Sequence, residues 1–254
     1  MSRVSYSQPR VIIGLLALGI IITTFILAGR LHNYWRTHQG PKLFQPHNQY
    51  YLNKERALLD KLAIIFPVNN NTDMQFYRNT WFRDYLFPVC DWPGPECKIV
   101  CYRDSTYRTL DMKTICFSQA LKNIDKEFFI KLDDDTFVDM DYVVDLINQY
   151  QGWKSPVYIS DHRRTGHRDF PDALNGVKYG NGKFYMFNQE LAKCLKPDIQ
   201  YKKHRNEDSL FGGMVSHGCG EPNVLYLKED DTKIWHKSYT NKNKNIDLAY
   251  IKNH

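Results

Sequence analysis

"FFIKLDDDTFVD", residues 128–139, drives an apolar segment into three consecutive aspartates and then resumes as Thr136-Phe137-Val138. The segment has the length and composition of a strand buried on both faces. Phe137 and Val138 imply that the backbone stays packed beyond the charges, so Asp133, Asp134 and Asp135 cannot all swing into bulk water. A solvated acidic turn is the plain alternative. If the carboxylates are held at a strand mouth, their repulsion has to be offset, and a hard divalent cation is the natural partner. Mg²⁺ or Mn²⁺ takes one or two carboxylates and completes its shell with water and substrate phosphates. An EF-hand is excluded, because the fifth and sixth positions counted from Asp133 are Phe137 and Val138, where that loop needs an oxygen ligand and a glycine.

Further short apolar runs surround this one: LAIIFPV (62–68), KIVCY (98–102), PVYIS (156–160), KFYMF (183–187) and NVLYL (223–227). Helical patterns fall between them, one from near Met74 holding Trp81 and Tyr85, one over about 110–124, and one from an N-cap at Asp141. Uniformly apolar strands separated by helices predict an α/β domain with a mainly parallel sheet covered on both faces. Ligands of such sheets bind beyond the carboxyl ends of the strands, where the aspartates stand.

The chain has 254 residues, 43% of them hydrophobic, enough for one globular domain with extra sequence at an end. Its 34 Lys and Arg against 28 Asp and Glu suit anionic ligands, but the basic residues are scattered, which argues against nucleic acid as a partner. Val11 to Ala28 is uncharged between Arg10 and Arg30. As a helix rising about 1.5 Å per residue it covers roughly 27 Å, near the thickness of an early secretory membrane. A cleaved signal peptide is the rival, although secretory apolar cores usually run about 7–15 residues. The expected organisation is a short tail (1–10), a membrane anchor (11–29), a stem (30–60) with a short helix near its end, and the functional domain (61–254). Flanking charge is balanced and does not orient the anchor.

Five blocks, in order, resemble the inverting β-1,3-glycosyltransferases of glycosyltransferase family 31, which include galactosyltransferases, N-acetylglucosaminyltransferases and the Fringe enzymes. They are "YRNTW" (77–81), "DSTYRTLDMKT" (104–114), "KLDDDTFVDMDYVVDLI" (131–147), "YGNGKFYMFNQELA" (179–192) and "NEDSLFGGMV" (206–215). The resemblance implies a GT-A fold, a UDP-sugar donor, a glycan or glycoprotein acceptor, and Mn²⁺, with Mg²⁺ as a substitute, bridging protein and diphosphate. It makes Asp135 a metal ligand, with Asp133 and Asp134 facing the donor or metal-bound water, and it places His236 in "KIWHKSY" as a second ligand. A lone histidine is equally often structural. Asp208 matches the family's general base; alone, Glu207-Asp208 would also read as an acidic helix start. Arg78 and Lys113 either hold the nucleotide or pair with acids in the sheet.

The fourth block departs from the family pattern. Gly180 and Gly182 remain as glycines that permit close approach to ligand, while Lys183 and Phe184 stand where the family has further glycines. Bulk there is expected to reshape the donor or acceptor pocket, and it leaves the sugar open between galactose, N-acetylglucosamine and others. Location follows from the same resemblance: a single-pass type II protein of the Golgi or endoplasmic reticulum with its catalytic domain in the lumen. Six cysteines without a C-x-x-C pair fit disulfides in an oxidising lumen, although six allow 15 connectivities. Asn70-Asn71-Thr72 is a sequon that places Asn70 as a glycosylation acceptor. Two other readings stay open. One is a catalytically silent, anchored sugar-binding protein of the same fold. The other is a Mg²⁺-dependent phosphohydrolase, disfavoured because Phe137 falls where its motif needs Thr.

Overall fold

The computed structural model describes residues 23–24, 27, 55–69, 72–77, 80–102, 110–166, 173–201 and 206–236, with backbone only at 76 and 236. The chain divides into two units, 1–41 and 42–254. In the first, Thr23, Thr24 and Leu27 are helical, and the rest of the expected anchor lies outside the described residues. Among the described residues no helix is long and apolar enough to cross a membrane. The expected stem also lies outside them, except for its end, where 55–59 form a helical turn.

The second unit is built on β1 (Leu62–Pro67), β2 (Leu86–Cys90), β3 (Ile99–Val100), β4 (Phe128–Leu132), β6 (Val157–Arg164), β7 (Lys178–Asn188) and β8 (Leu225–Lys228). These form one sheet in the order β3-β2-β1-β4-β7-β6-β8. The pairings β1·β2, β2·β3, β1·β4 and β6·β8 are parallel, and β7 alone runs antiparallel to both of its neighbours. Every residue of β4 is buried, as are the first five of β1, which is why these segments read as continuous apolar runs. The mixed, mainly parallel α/β sheet agrees with the expected fold class.

Side chains alternate between two cores. One face gathers Ile64, Phe66, Trp81, Ile130, Phe184 and Met186 against Val143 and Ile147 of α2 (Met140–Tyr150). The other gathers Ile65, Phe129, Tyr185 and Phe187 against Phe117 of α1 (Leu110–Ala120), Leu191 of α3 (Gln189–Cys194) and Phe211 of α4 (Glu207–Val215). Phe211 stacks on Tyr185 with ring centroids 4.7 Å apart and meets Tyr158 and Phe187 at 5.8 and 5.3 Å. Such pairs add about 0.5–1.5 kcal/mol each beyond the area they bury. A Cβ on Gly212 would come within 2.5 Å of Tyr179 Cβ and 2.6 Å of the Lys178 carbonyl, so the glycine lets α4 lie directly on the β7 backbone.

Three sequence expectations are corrected. Among its described residues the segment from Met74 to Tyr85 holds two 3₁₀ turns, Met74–Tyr77 and Arg83–Tyr85, in place of one helix, and it is followed by β2, which contains Pro88. Proline normally marks an edge strand, so LFPVC did not read as one, yet β2 is flanked by β1 and β3. The N-cap of α2 is Asp139, whose carboxylate accepts from the Tyr142 amide at 3.1 Å, rather than Asp141. The helix over 110–124 ends at Ala120 and tightens into a 3₁₀ turn at Leu121–Asn123. The six cysteines pair as Cys90–Cys97, Cys101–Cys116 and Cys194–Cys219.

Candidate active site at the carboxyl edge of the sheet

β4 ends at Leu132, and the chain turns at once: the Thr136 amide donates to the Asp133 carbonyl at 3.1 Å and opens β5 (Thr136–Val138). Val138 accepts a hydrogen bond from Trp81 Nε1 at 2.8 Å, tying the first sequence block to the third. β5 pairs antiparallel with β9 (Ile234–His236), in register Thr136↔His236. The backbone of His236 therefore lies beside the residue that follows Asp135. Its side chain, with Arg78 and Asn70, is outside the described residues.

The three aspartates have distinct surroundings. Asp133 is the ion-pair partner of Lys131. Asp134 accepts from the Thr72 hydroxyl at 2.6 Å on Oδ2, while its carbonyl accepts from the Tyr77 hydroxyl. Asp135 is half-buried. Burial, then the charges of Asp134 and Asp135, push the Tyr77 hydroxyl well above its ordinary range, so it stays a donor. Among the described residues no group of three or more His, Cys, Asp or Glu gathers to hold a metal by itself. The donor set is hard oxygen from a half-buried carboxylate beside a strand bearing His236. It suits a cation that takes one or two protein ligands and leaves the rest of its shell to water and phosphate.

Asp208 stands opposite, in the first turn of α4. Asn206 caps that helix by accepting from the Asp208 amide at 3.1 Å, which leaves the Asp208 carboxylate out of the capping role. The carboxylate is 6% exposed and its Oδ1 has no hydrogen-bond partner. It rests on Gly182, where a Cβ would approach Oδ1 to 2.5 Å and Oδ2 to 2.6 Å. Burial pushes its pKa up to about 7; Lys131 and the Gly182 amide oppose the rise, and Glu207 and Asp133 add to it. A carboxylate near neutrality can take up a proton in working conditions, the property a general base requires.

The remaining expected residues divide. Lys113 is buried, forms an ion pair with Asp91 at 2.9 Å and donates to the Val68 carbonyl, which is the pairing of a sheet ion pair. A Cβ on Gly180 would approach Ser160 Oγ to 2.6 Å and Tyr158 Oη to 2.8 Å. The close approaches at both glycines are thus to the protein's own polar groups. Phe184 is buried opposite Leu132 of β4, and the Lys183 ammonium lies 2.7 Å from the buried Glu229 carboxylate. Sequence reading missed Lys131, 3% exposed, whose ammonium bonds Asp133 and donates to the Gly182 carbonyl at 2.7 Å. A lysine inside an otherwise apolar strand, two residues before an aspartate, was the available signal.

No protein-family model matches the chain, and no curated protein matches it. Similar solved structures are distant. The S. aureus TarS 1–349 structure is 12% identical, covering 75% of this chain and 68% of its own, with a TM-score of 0.39. The mannosyltransferase PcManGT from Pyrobaculum calidifontis, solved with GDP-Man and Mn²⁺, is 13% identical, covering 89% and 69%, with a TM-score of 0.42. A197 from STIV is 11% identical, covering 73% and 98%, with a TM-score of 0.40. At these scores the likenesses carry no argument, and the chemistry rests on the residues above.

Proposed function

We propose that the chain is an inverting, metal-dependent glycosyltransferase of the GT-A kind that moves a sugar from a UDP-sugar to a hydroxyl of a glycan or glycoprotein, in β-1,3 linkage. The observation that carries this reading is the buried Asp208 carboxylate, facing Asp133 of the triplet across Lys131 and Gly182 at the carboxyl edge of the sheet. The five sequence blocks support the family and the linkage. In the step, the acceptor oxygen attacks the anomeric carbon as its proton passes to Asp208. The bond from that carbon to the phosphate oxygen breaks, and UDP leaves with the electron pair. Asp135 and His236 would hold a Mn²⁺ ion, which when bound stabilises charge on the departing diphosphate. Thr72 and Tyr77 fix Asp134 in place at the donor side.

The three disulfides support an oxidising compartment, in keeping with a Golgi or endoplasmic reticulum protein anchored through 11–29 with its domain in the lumen. Screening UDP-sugars against acceptor glycans, with and without EDTA, tests the reaction. Asp208→Asn is expected to abolish transfer and keep Mn²⁺-dependent UDP binding, whereas Asp135→Ala loses both. Transfer that persists in EDTA would sink the metal assignment, and undiminished turnover by Asp208→Asn would sink the base.

A further inference from the structure

Lys131 places an ammonium in the interior of the domain, where an unpaired charge costs several kcal/mol. Its neighbours on β4, Ile130 and Leu132, are fully buried in the opposite core. Lys131 itself points to the face that holds α4, with its ammonium 5.7 Å from the centre of the Tyr185 ring. A sheet that needed only packing at this position would carry an apolar residue, as Phe129 does two positions earlier on the same face. The ammonium instead joins three parts of the edge. It bonds the Asp133 carboxylate at the head of the triplet and the carbonyl of Gly182, the residue whose α-carbon supports Asp208, and it is attracted by Asp208 and Glu207.

We propose that Lys131 is a positioning residue that couples the aspartate triplet to the base, seating the Gly182 backbone beneath Asp208 and supplying the positive charge that keeps its carboxylate available as a proton acceptor. The inference rests on the reading of Asp208 as base. Among the described residues, the groups bearing on Asp208 are Lys131 from β4, Asp133 from the turn after it, Glu207 from α4 itself, and the Tyr158 and Tyr185 hydroxyls from β6 and β7. Burial pushes both hydroxyls far above their ordinary range, so they remain neutral. Among the described residues, Lys131 is therefore the cation that bears on Asp208, set against the negative Asp133 and Glu207.

The test is a titration that needs neither metal nor substrate. The carboxyl carbon of Asp208 is followed by NMR against pH in the full chain in detergent, its signal assigned by its loss in Asp208→Asn. Lys131→Met is expected to raise the midpoint by about one pH unit or more. Lys131→Arg keeps the charge and is expected to hold the midpoint near the wild-type value. Asp133→Asn, which removes a negative neighbour and releases the ammonium toward Asp208, is expected to lower it. Should Lys131→Met fail to fold, the Lys131→Arg and Asp133→Asn titrations still decide. An Asp208 midpoint that stays put in Asp133→Asn, or in a folded Lys131→Met, overturns the coupling. Transfer measured on the same variants separates the two claims: loss of transfer in Asp208→Asn with unmoved midpoints fails this inference alone, while transfer retained by Asp208→Asn fails the base assignment.

Discussion

Replacing Asp208 by asparagine should stabilise the protein, and by more at alkaline than at acidic pH. The carboxyl group titrates near 3.8 when exposed and at about 7 in the fold, chiefly because burial disfavours its charge. The sign follows from proton binding. Below the unfolded value both states are protonated and the group costs nothing. Between the two values the unfolded chain has released its proton while the folded one keeps it, so stability falls by about 1.36 kcal/mol per pH unit. Above the folded value the loss levels off. It amounts to about 2 kcal/mol at pH 5 and about 4 kcal/mol at pH 8. Asparagine mimics the neutral form and escapes the loss, whatever constant offset its own packing adds. Urea unfolding of both proteins at the two pH values isolates the effect. The stability gap between variant and wild type should widen by about 2–3 kcal/mol from pH 5 to pH 8. A gap that stays constant across that range would refute the claim that Asp208 is ionised against its burial.

Two further outcomes are expected. Lys113→Met leaves the buried Asp91 carboxylate without its ion-pair partner and should cost about 3–5 kcal/mol in denaturant unfolding, the range for breaking one side of a buried pair; a loss under about 1 kcal/mol would show that Asp91 reaches solvent. Gly182→Ala sets a methyl group 2.5–2.8 Å from the Asp208 carboxyl atoms and so must push that carboxylate, the proposed base, aside. Transfer should fall sharply while Mn²⁺-dependent UDP binding persists, and near-normal transfer would show that the carboxylate yields without consequence.

The part of the fold that was legible in the sequence is the part where one physical demand dominates. β1 and β4 are buried on both faces and wrote themselves as unbroken apolar runs. β2 was hidden because Pro88 breaks the expected pattern, and the Met74 segment misled because Tyr77 serves the core from a 3₁₀ turn and Trp81 and Phe82 from the turn before the next one, rather than from one helical face. Around the site, the sequence shows which residues carry charge but not which charges meet. Asp133, Asp134 and Asp135 look alike on the page, and only the fold distinguishes the one held by Lys131 from the one held by Thr72. Gly180 and Gly182 suggested room for a ligand, whereas the structure fills that room with Ser160, Tyr158 and Asp208. Lys131 stands out in the sequence as a charge inside an apolar strand, but its partners Asp133 and Gly182 are set by the fold.

The pairing of β5 with β9 has a consequence for when the site comes into being. All seven strands of the main sheet precede Ile234, and the strand beside Asp135 is the last of the described strands to be made. A nascent chain halted after Lys228 contains the residues of the sheet and of α4, yet lacks Glu229, the partner of Lys183, the core residue Ile234 and the strand that sets the His236 backbone beside Thr136. Docking of β9 on β5 thus follows synthesis of every strand of the seven-stranded sheet, and the flank beside Thr136 receives its neighbour only after the rest of that scaffold has been made.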